Sequence, residues 1–319
     1  MRRFRLDSID SSRPILFRGE PPLKPMRYRF IRGTSRGGDL NSLPGRVHET
    51  RPAEYGKISS RRRAIMLPLH FWARVQGRYI RSAARLFFKR PLAIKRQVPL
   101  ISFTFDDFPR SAWHTGGAIL QRHGLQGTYY ASFGLMGKQA PTGTMFLPED
   151  MKGLLEQGHE LGCHTFNHCH SWETRPDLFE ESIIKNQRAL QELVPQASFR
   201  TFSYPISPPR PKTKQKAARH FLCCRGAGQT FNVGSADLNY LSAFFLEQSR
   251  ENPKAVKSLI DQNLRAGGWL IFATHDISDS PTPWGCTPDF FEQIVQYAVD
   301  SGAQILPVVQ AWQALRASS

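Results

Sequence analysis

From residue 98 onward the chain alternates short apolar runs with longer amphipathic stretches, and nothing else in it limits the fold as strongly. Strand-length runs occupy 100–105, 127–132, 159–164, 199–204, 269–274 and 304–308. Helical spacing is clear at 112–122 and 178–193. Pro148, Asn252-Pro253 and Thr287-Pro288 read as helix starts, and Gly124, Gly158, Gly267-Gly268 and Gly302 as helix stops. Repeated β-then-α alternation predicts a parallel sheet or a barrel. No run of 18 apolar residues occurs, which excludes a bilayer-spanning helix from this stretch of sequence.

Charge divides the chain in two. The net charge is +17, yet residues 1–100 hold 24 basic and 6 acidic residues, whereas 101–319 hold 19 and 20. Any attraction to a polyanion therefore belongs to the N-terminal third. Residues 1–60 mix arginine with Pro, Gly and Ser without helical or alternating period, and are expected to form a basic, disordered tail. Residues 61–97 are expected to form a basic amphipathic helical linker. There Phe71, Trp72, Val75, Tyr79, Ile80, Ala83, Leu86 and Phe87 interleave with Arg74, Arg78, Arg81, Arg85 and Lys89. Such a helix either adsorbs to an anionic membrane surface or docks on the domain that follows. A folded α/β domain is expected over 98–312 and a C-terminal tail over 313–319. No clean export signal is present, so the cytoplasm or the cytoplasmic membrane face is expected. Five cysteines, an odd number, argue against a disulfide scaffold.

Three polar clusters fall at expected C-terminal strand ends, where barrels place their sites. The first is Thr104-Phe105-Asp106-Asp107. Adjacent carboxylates repel unless a cation neutralises one, although such pairs also serve as ordinary turns and caps. The second is His164-Thr165-Phe166-Asn167-His168, in which two histidines on one helical turn face the same side. The third is Thr274-His275-Asp276, with a histidine just past a buried run. Together they suggest a site. Asp107, His164 and His168 offer one oxygen and two nitrogens, a usual set for catalytic zinc. Asp106 is then free as a base and His275 as an acid.

The segments FTFDDFP (103–109), GHELGCHTFNHCH (158–170), FSYPIS (202–207) and IFATHDIS (271–278) resemble the polysaccharide deacetylase family, carbohydrate esterase family 4, with its NodB-homology domain. HGLQGTYYAS (123–132) resembles its second strand. The resemblance covers roughly 98–312. It implies a distorted (β/α) barrel and a metal-dependent hydrolase that removes N-acetyl groups from a carbohydrate. Motif for motif, it makes Asp106 the general base, Asp107, His164 and His168 the metal ligands, and His275 the general acid. It places the oxyanion donor, a backbone N–H near Ile206, in the FSYPIS loop, with Tyr204 and Pro205 beside it at the substrate. Zinc is the expected ion, with cobalt, nickel or manganese compatible. Trp284 is a candidate for stacking on a sugar.

The sequence also departs from the family pattern. The family's third motif carries an arginine where Ser203 stands, and that arginine would hold the catalytic aspartate. Phe108 replaces a usual glycine, which implies a bulkier floor beside Asp106. The fourth motif is unclear, and Asp237 is the candidate partner for His275. Cys163, Cys223 and Cys224 are expected in the core, and Cys286 is placed at the mouth of the site. Two other readings stand beside the enzyme. One is a sugar-binding module whose site is degraded by the missing arginine. The other is an interaction protein acting through its cationic N-terminal segment. No specific nucleic acid is expected.

Overall fold

The computed structural model describes residues 75–317. The expected tail over 1–60, and the part of the linker that includes Phe71, Trp72 and Arg74, lie outside the described residues. The description begins in helix α1 (75–86), followed by strand β1 (Pro91–Ile94). Of the helical expectation over 61–97, the described residues show helix at 75–86 and none at 87–97. Leu92 and Ile94 are buried and alternate with exposed neighbours, the period of a strand.

The core is a parallel sheet. β2 (Leu100–Phe105) leads through a widened helical turn, Ala112–Gly117, into α2 (Ala118–Arg122) and then β3 (Thr128–Ala131). A small hairpin follows, β4 (Gln139–Ala140) and β5 (Gly143–Thr144), then α3 (Pro148–Glu156) and β6 (Glu160–Cys163). Next come α4 (Pro176–Leu193), β7 (Thr201–Ser203), α5 (Pro211–Ala217), β8 (Cys223–Arg225) and β9 (Gly234–Asp237). The chain closes with β10 (Phe244–Phe245), α6 (Pro253–Ala266), β11 (Trp269–Thr274), α7 (Pro288–Asp300), β12 (Gln304–Ile305) and α8 (Val308–Ala317). Residues 313–317, expected as tail, continue α8, which buries Leu315.

The sheet runs β10-β11-β2-β3-β6-β7-β8, with β12 added beside the start of β2. Each pairing in it is parallel. It curls into the partial, distorted (β/α) barrel of the expected class. β2 and β11 are buried along their whole length, as strands covered on both faces must be. Parallel strands bring their C-terminal ends to one side, and the three polar clusters sit there.

A second, two-stranded sheet fastens the N-terminal segment. β1 pairs antiparallel with β9, from Pro91 opposite Asp237 to Ile94 opposite Gly234. Lys214, fully buried on α5, donates to Ala84 O at 2.7 Å and Phe87 O at 2.9 Å, and pairs with Asp237. Burying an ammonium is costly unless its protons find acceptors. Here three acceptors meet it, two of them carbonyls at the end of α1, so helix and barrel are joined through one cation.

Candidate active site

Asp106 and Asp107 follow β2 directly. Asp107 and Phe108 both take left-handed backbone, with φ of 63° and 57°. That bend turns two consecutive side chains in different directions. The aromatic ring of Phe108 goes into the core, stacked on Phe146 at 4.7 Å and packed on Tyr129 at 5.2 Å. The bulkier floor expected beside Asp106 is therefore absent: the ring points away from the carboxylates because the core holds it.

The two histidines meet, but not by helical spacing. His164 follows the end of β6, and Thr165 and His168 have φ of 60° and 51°, so the segment is a bent loop. The expectation of one helical turn is corrected, and the two rings still lie 5.0 Å apart. His164 Nδ1 lies 2.8 Å from Ser203 O. A carbonyl only accepts, so Nδ1 carries the proton and Nε2 presents its lone pair. Burial holds His164 down to about 4, so the imidazole is neutral.

Asp107 Oδ1 lies 3.5 Å from His164 Nε2 and 3.1 Å from His168 Nε2. This oxygen is buried and has no hydrogen-bond partner. The other, Oδ2, accepts from Thr142 Oγ1 at 2.8 Å. All three ligand atoms lie within 4.8 Å of one another. A tetrahedral ion with bonds of about 2.1 Å keeps its ligand atoms roughly 3.4 Å apart. The set therefore fits a divalent ion, and the orphaned Oδ1 is the atom such an ion would satisfy.

Asp106 is buried and pairs with the guanidinium of Arg225, itself fully buried on β8. Burial alone would raise the Asp106 carboxyl, but Arg225 and then His164 hold it well below the usual carboxylate range. Sequence reasoning missed this arginine. Ser203 on β7 is the register partner of Arg225 on β8. Register partners stand on the same face of a sheet, so the arginine absent at Ser203 is supplied one strand over. Arg225 lies over the Tyr130 ring at 4.9 Å and the Phe245 ring at 5.5 Å. A Cβ on Gly162 would come within 2.4 Å of the Tyr130 ring, so only glycine lets that ring sit where it flanks the guanidinium.

His275 follows β11. Its Nδ1 lies 3.1 Å from Trp284 O, to which it donates, leaving Nε2 for chemistry. Asp237 is not its partner. Asp237 takes Lys214, Arg90 N and Asn239 N, at the clasp between β9 and β1. Asp276 shapes the loop instead, accepting from Thr282 N at 2.8 Å.

The FSYPIS loop divides its expected roles. Tyr204 is buried and donates to Asn239 O at 3.2 Å, so its ring belongs to the core. Pro205 O accepts from Ser171 Oγ at 2.8 Å and joins this loop to the histidine loop. Ile206 has φ of 67°, its side chain is 62% exposed, and its N–H has no acceptor among the described residues. Trp284 is 43% exposed at the rim. Cys286 is buried beside Thr274 and does not reach the mouth; burial pushes its thiol up to about 12. Cys163, Cys223 and Cys224 are buried as expected. Among the described residues, five of the nine non-glycine residues with positive φ are Asp107, Phe108, Thr165, His168 and Ile206, a concentration of backbone strain at one site.

Residues 93–222 match the family model described as polysaccharide deacetylase. No curated protein matches the chain. Among solved structures, a family 4 carbohydrate esterase pseudoenzyme from Bacillus anthracis shares 12% identity, with a TM-score of 0.48 over 70% of this chain and 69% of that one. A peptidoglycan deacetylase from Bacillus subtilis shares 16%, with a TM-score of 0.48 over 69% and 93%. A family 4 acetyl xylan esterase from Clostridium thermocellum, solved with a cobalt ion, shares 17%, with a TM-score of 0.47 over 67% and 91%.

Proposed function

We propose, from the premise that this chain belongs to the polysaccharide deacetylase family, that it is a divalent-metal-dependent hydrolase removing N-acetyl groups from a carbohydrate. One observation carries the metal dependence. Asp107 Oδ1 is buried, lacks a hydrogen-bond partner, and faces the free Nε2 atoms of His164 and His168. Zinc suits one oxygen and two nitrogens, and cobalt, nickel or manganese are compatible. When bound, such an ion supplies Lewis acidity and acidifies a coordinated water.

The residues around it have separate tasks. Asp106, kept ionised by Arg225, takes a proton from the attacking water. Ile206 N–H, turned out by its left-handed backbone, donates to the oxyanion. His275, oriented through Nδ1 by Trp284 O, gives its Nε2 proton to the departing amine. The amide C–N bond breaks, water supplies the hydroxyl of acetate, and the amine leaves protonated. Trp284 at the rim offers its ring to the sugar. The degraded-site alternative rested on a missing arginine, and Arg225 removes that ground.

Acetate release from N-acetylglucosamine oligomers tests this reading. The metal-loaded chain is expected to release acetate, and Asp106→Asn to keep the metal and lose at least about 10²-fold in kcat. Normal turnover by Asp106→Asn would contradict the assignment of the base. We also propose contact with an anionic membrane surface through residues 61–97. Leu86 and Phe87 are exposed beside Arg81, Arg85 and Lys89. Sedimentation with vesicles containing phosphatidylglycerol, weakened by salt, is the expected result.

A further inference from the structure

The strand starts, at the end of the barrel opposite the three polar clusters, enclose a second concave surface. Arg200 stands just before β7 and Leu222 just before β8, and Leu222 N donates to Arg200 O at 2.9 Å. Arg188, in the second half of α4, and Arg219, after α5, return to the same end, because each helix runs back from the end of one parallel strand to the start of the next. Arg90, just before β1, joins them: its Nη2 donates to Phe221 O at 3.1 Å and Leu222 O at 2.7 Å, which fixes the guanidinium. The four arginines line a groove of about 670 Å³, within the roughly 300–1,000 Å³ of small-molecule sites. Its wall is braced by Gln187, whose Nε2 donates to Ala197 O at 3.1 Å and whose Oε1 accepts from Phe199 N at 3.0 Å. Ile184, 38% exposed, adds apolar surface.

No carboxylate lines this groove, and none of the four arginine side chains forms an ion pair among the described residues. Glu180 reaches His220 at the rim at 3.0 Å but is already paired with Lys216 at 2.6 Å. The end of a barrel away from its site ordinarily serves stability, and unpaired like charges gathered there oppose it. We propose that the groove binds a phosphorylated ligand. The planar guanidinium fork matches phosphate oxygens two at a time. A phosphate group carries close to two negative charges and three strong acceptors, so it satisfies several arginines where one carboxylate does not. A lipid headgroup and a soluble phosphate ester share this chemistry. The proposal is independent of the hydrolytic reading, since the groove contains none of the residues given a task there.

Titration calorimetry of the full chain with pyrophosphate tests it. The double variant Arg188→Gln/Arg200→Gln changes two exposed side chains and should weaken binding at least about 10-fold. Arg188→Lys/Arg200→Lys, which keeps the charge and loses the fork, should recover only part of it. The net charge of +17 calls for a matched control. Lys254→Gln/Arg265→Gln removes two exposed cations from α6 and should stay within about 2-fold of wild type. Vesicles of phosphatidylcholine and phosphatidylglycerol identify the source. If the groove takes a headgroup, Arg188→Gln/Arg200→Gln should sediment with them less than the control does, and pyrophosphate should compete. Equal sedimentation of the two variants, with the pyrophosphate difference intact, assigns the groove to a soluble phosphate. A wild-type chain that binds no pyrophosphate would overturn the proposal. So would equal weakening by both glutamine variants, which would mark general attraction to a basic chain, or citrate binding as tightly as pyrophosphate.

Discussion

Among the described residues, two acid–cation pairs have a fully buried cation, and they are finished differently. Lys214 and Asp237 form the clasp. Each ammonium proton has an acceptor, and Asp237 also receives Arg90 N at 2.9 Å and Asn239 N at 3.0 Å. Asp106 and Arg225 form the other pair, at the C-terminal end of the barrel. There Arg225 Nε has no acceptor, and neighbouring Asp107 Oδ1 and Glu247 Oε2 are likewise unpaired. A saturated pair holds a fold together, whereas an unsaturated one leaves capacity for a ligand. The contrast lies in the paired atoms themselves, since Arg90 Nε and Asn239 Oδ1 beside the clasp also lack partners.

Substitutions at the two pairs should therefore fail in different ways. The largest stability effect is expected at the clasp. Lys214→Ala removes the cation beside the partly buried Asp237 carboxylate and leaves two carbonyls at the end of α1 without their donor, which should cost about 2–3 kcal/mol in denaturant unfolding. Its kcat, measured where the variant is folded, should stay near wild type. Arg225→Ala should do the reverse, lowering kcat by roughly 10²-fold with a smaller change in metal affinity. The pH sign follows from the cause. Without the guanidinium, burial raises the Asp106 carboxyl unopposed, so the base is protonated at higher pH and the acid limb of kcat/KM moves upward. An acid limb that stays in place would separate Arg225 from the base. Next in size is Thr142→Val. It removes the hydroxyl on Asp107 Oδ2 and should weaken metal affinity about 10-fold by competition with a chelator.

The smallest effect concerns stability and pH. Glu247 is raised in the folded protein to about 7 from 4.5. Between these values the folded state binds more protons than the unfolded state, so its contribution to stability falls as pH rises through that window. Glu247→Gln should therefore gain on wild type between pH 5 and pH 8, by on the order of 2 kcal/mol in chemical denaturation. A constant difference across that range would show that the carboxyl is not perturbed.

How much was legible in the sequence follows from how local each feature is. Asp106, Asp107, His164 and His275 each sit at or just past the end of an apolar strand, and a parallel sheet must bring such ends together. His168 joins the cluster by another route than expected, because two left-handed residues, not a helical turn, fold it back. Arg225 was invisible. Its link to Asp106 depends on the register of β8 against β7, which no run of residues displays. Thr142 reaches the site from a hairpin inserted between β3 and α3. Asp237 was misplaced because its partner, Lys214, lies on α5 and is brought to it only by packing. Phe108 shows the reverse error: a bulky residue beside a carboxylate need not line the site when its backbone turns it into the core.

The central claim is that Asp107, His164 and His168 hold a divalent ion on which the proposed hydrolysis depends. Elemental mass spectrometry of the purified full chain, compared with the His164→Ala/His168→Ala double variant, tests it without any assumption about substrate. The expected result is about one equivalent of a divalent transition metal in the wild-type chain and none in the double variant. A wild-type chain that holds no metal after incubation with zinc, or a double variant that holds as much as wild type, would contradict it.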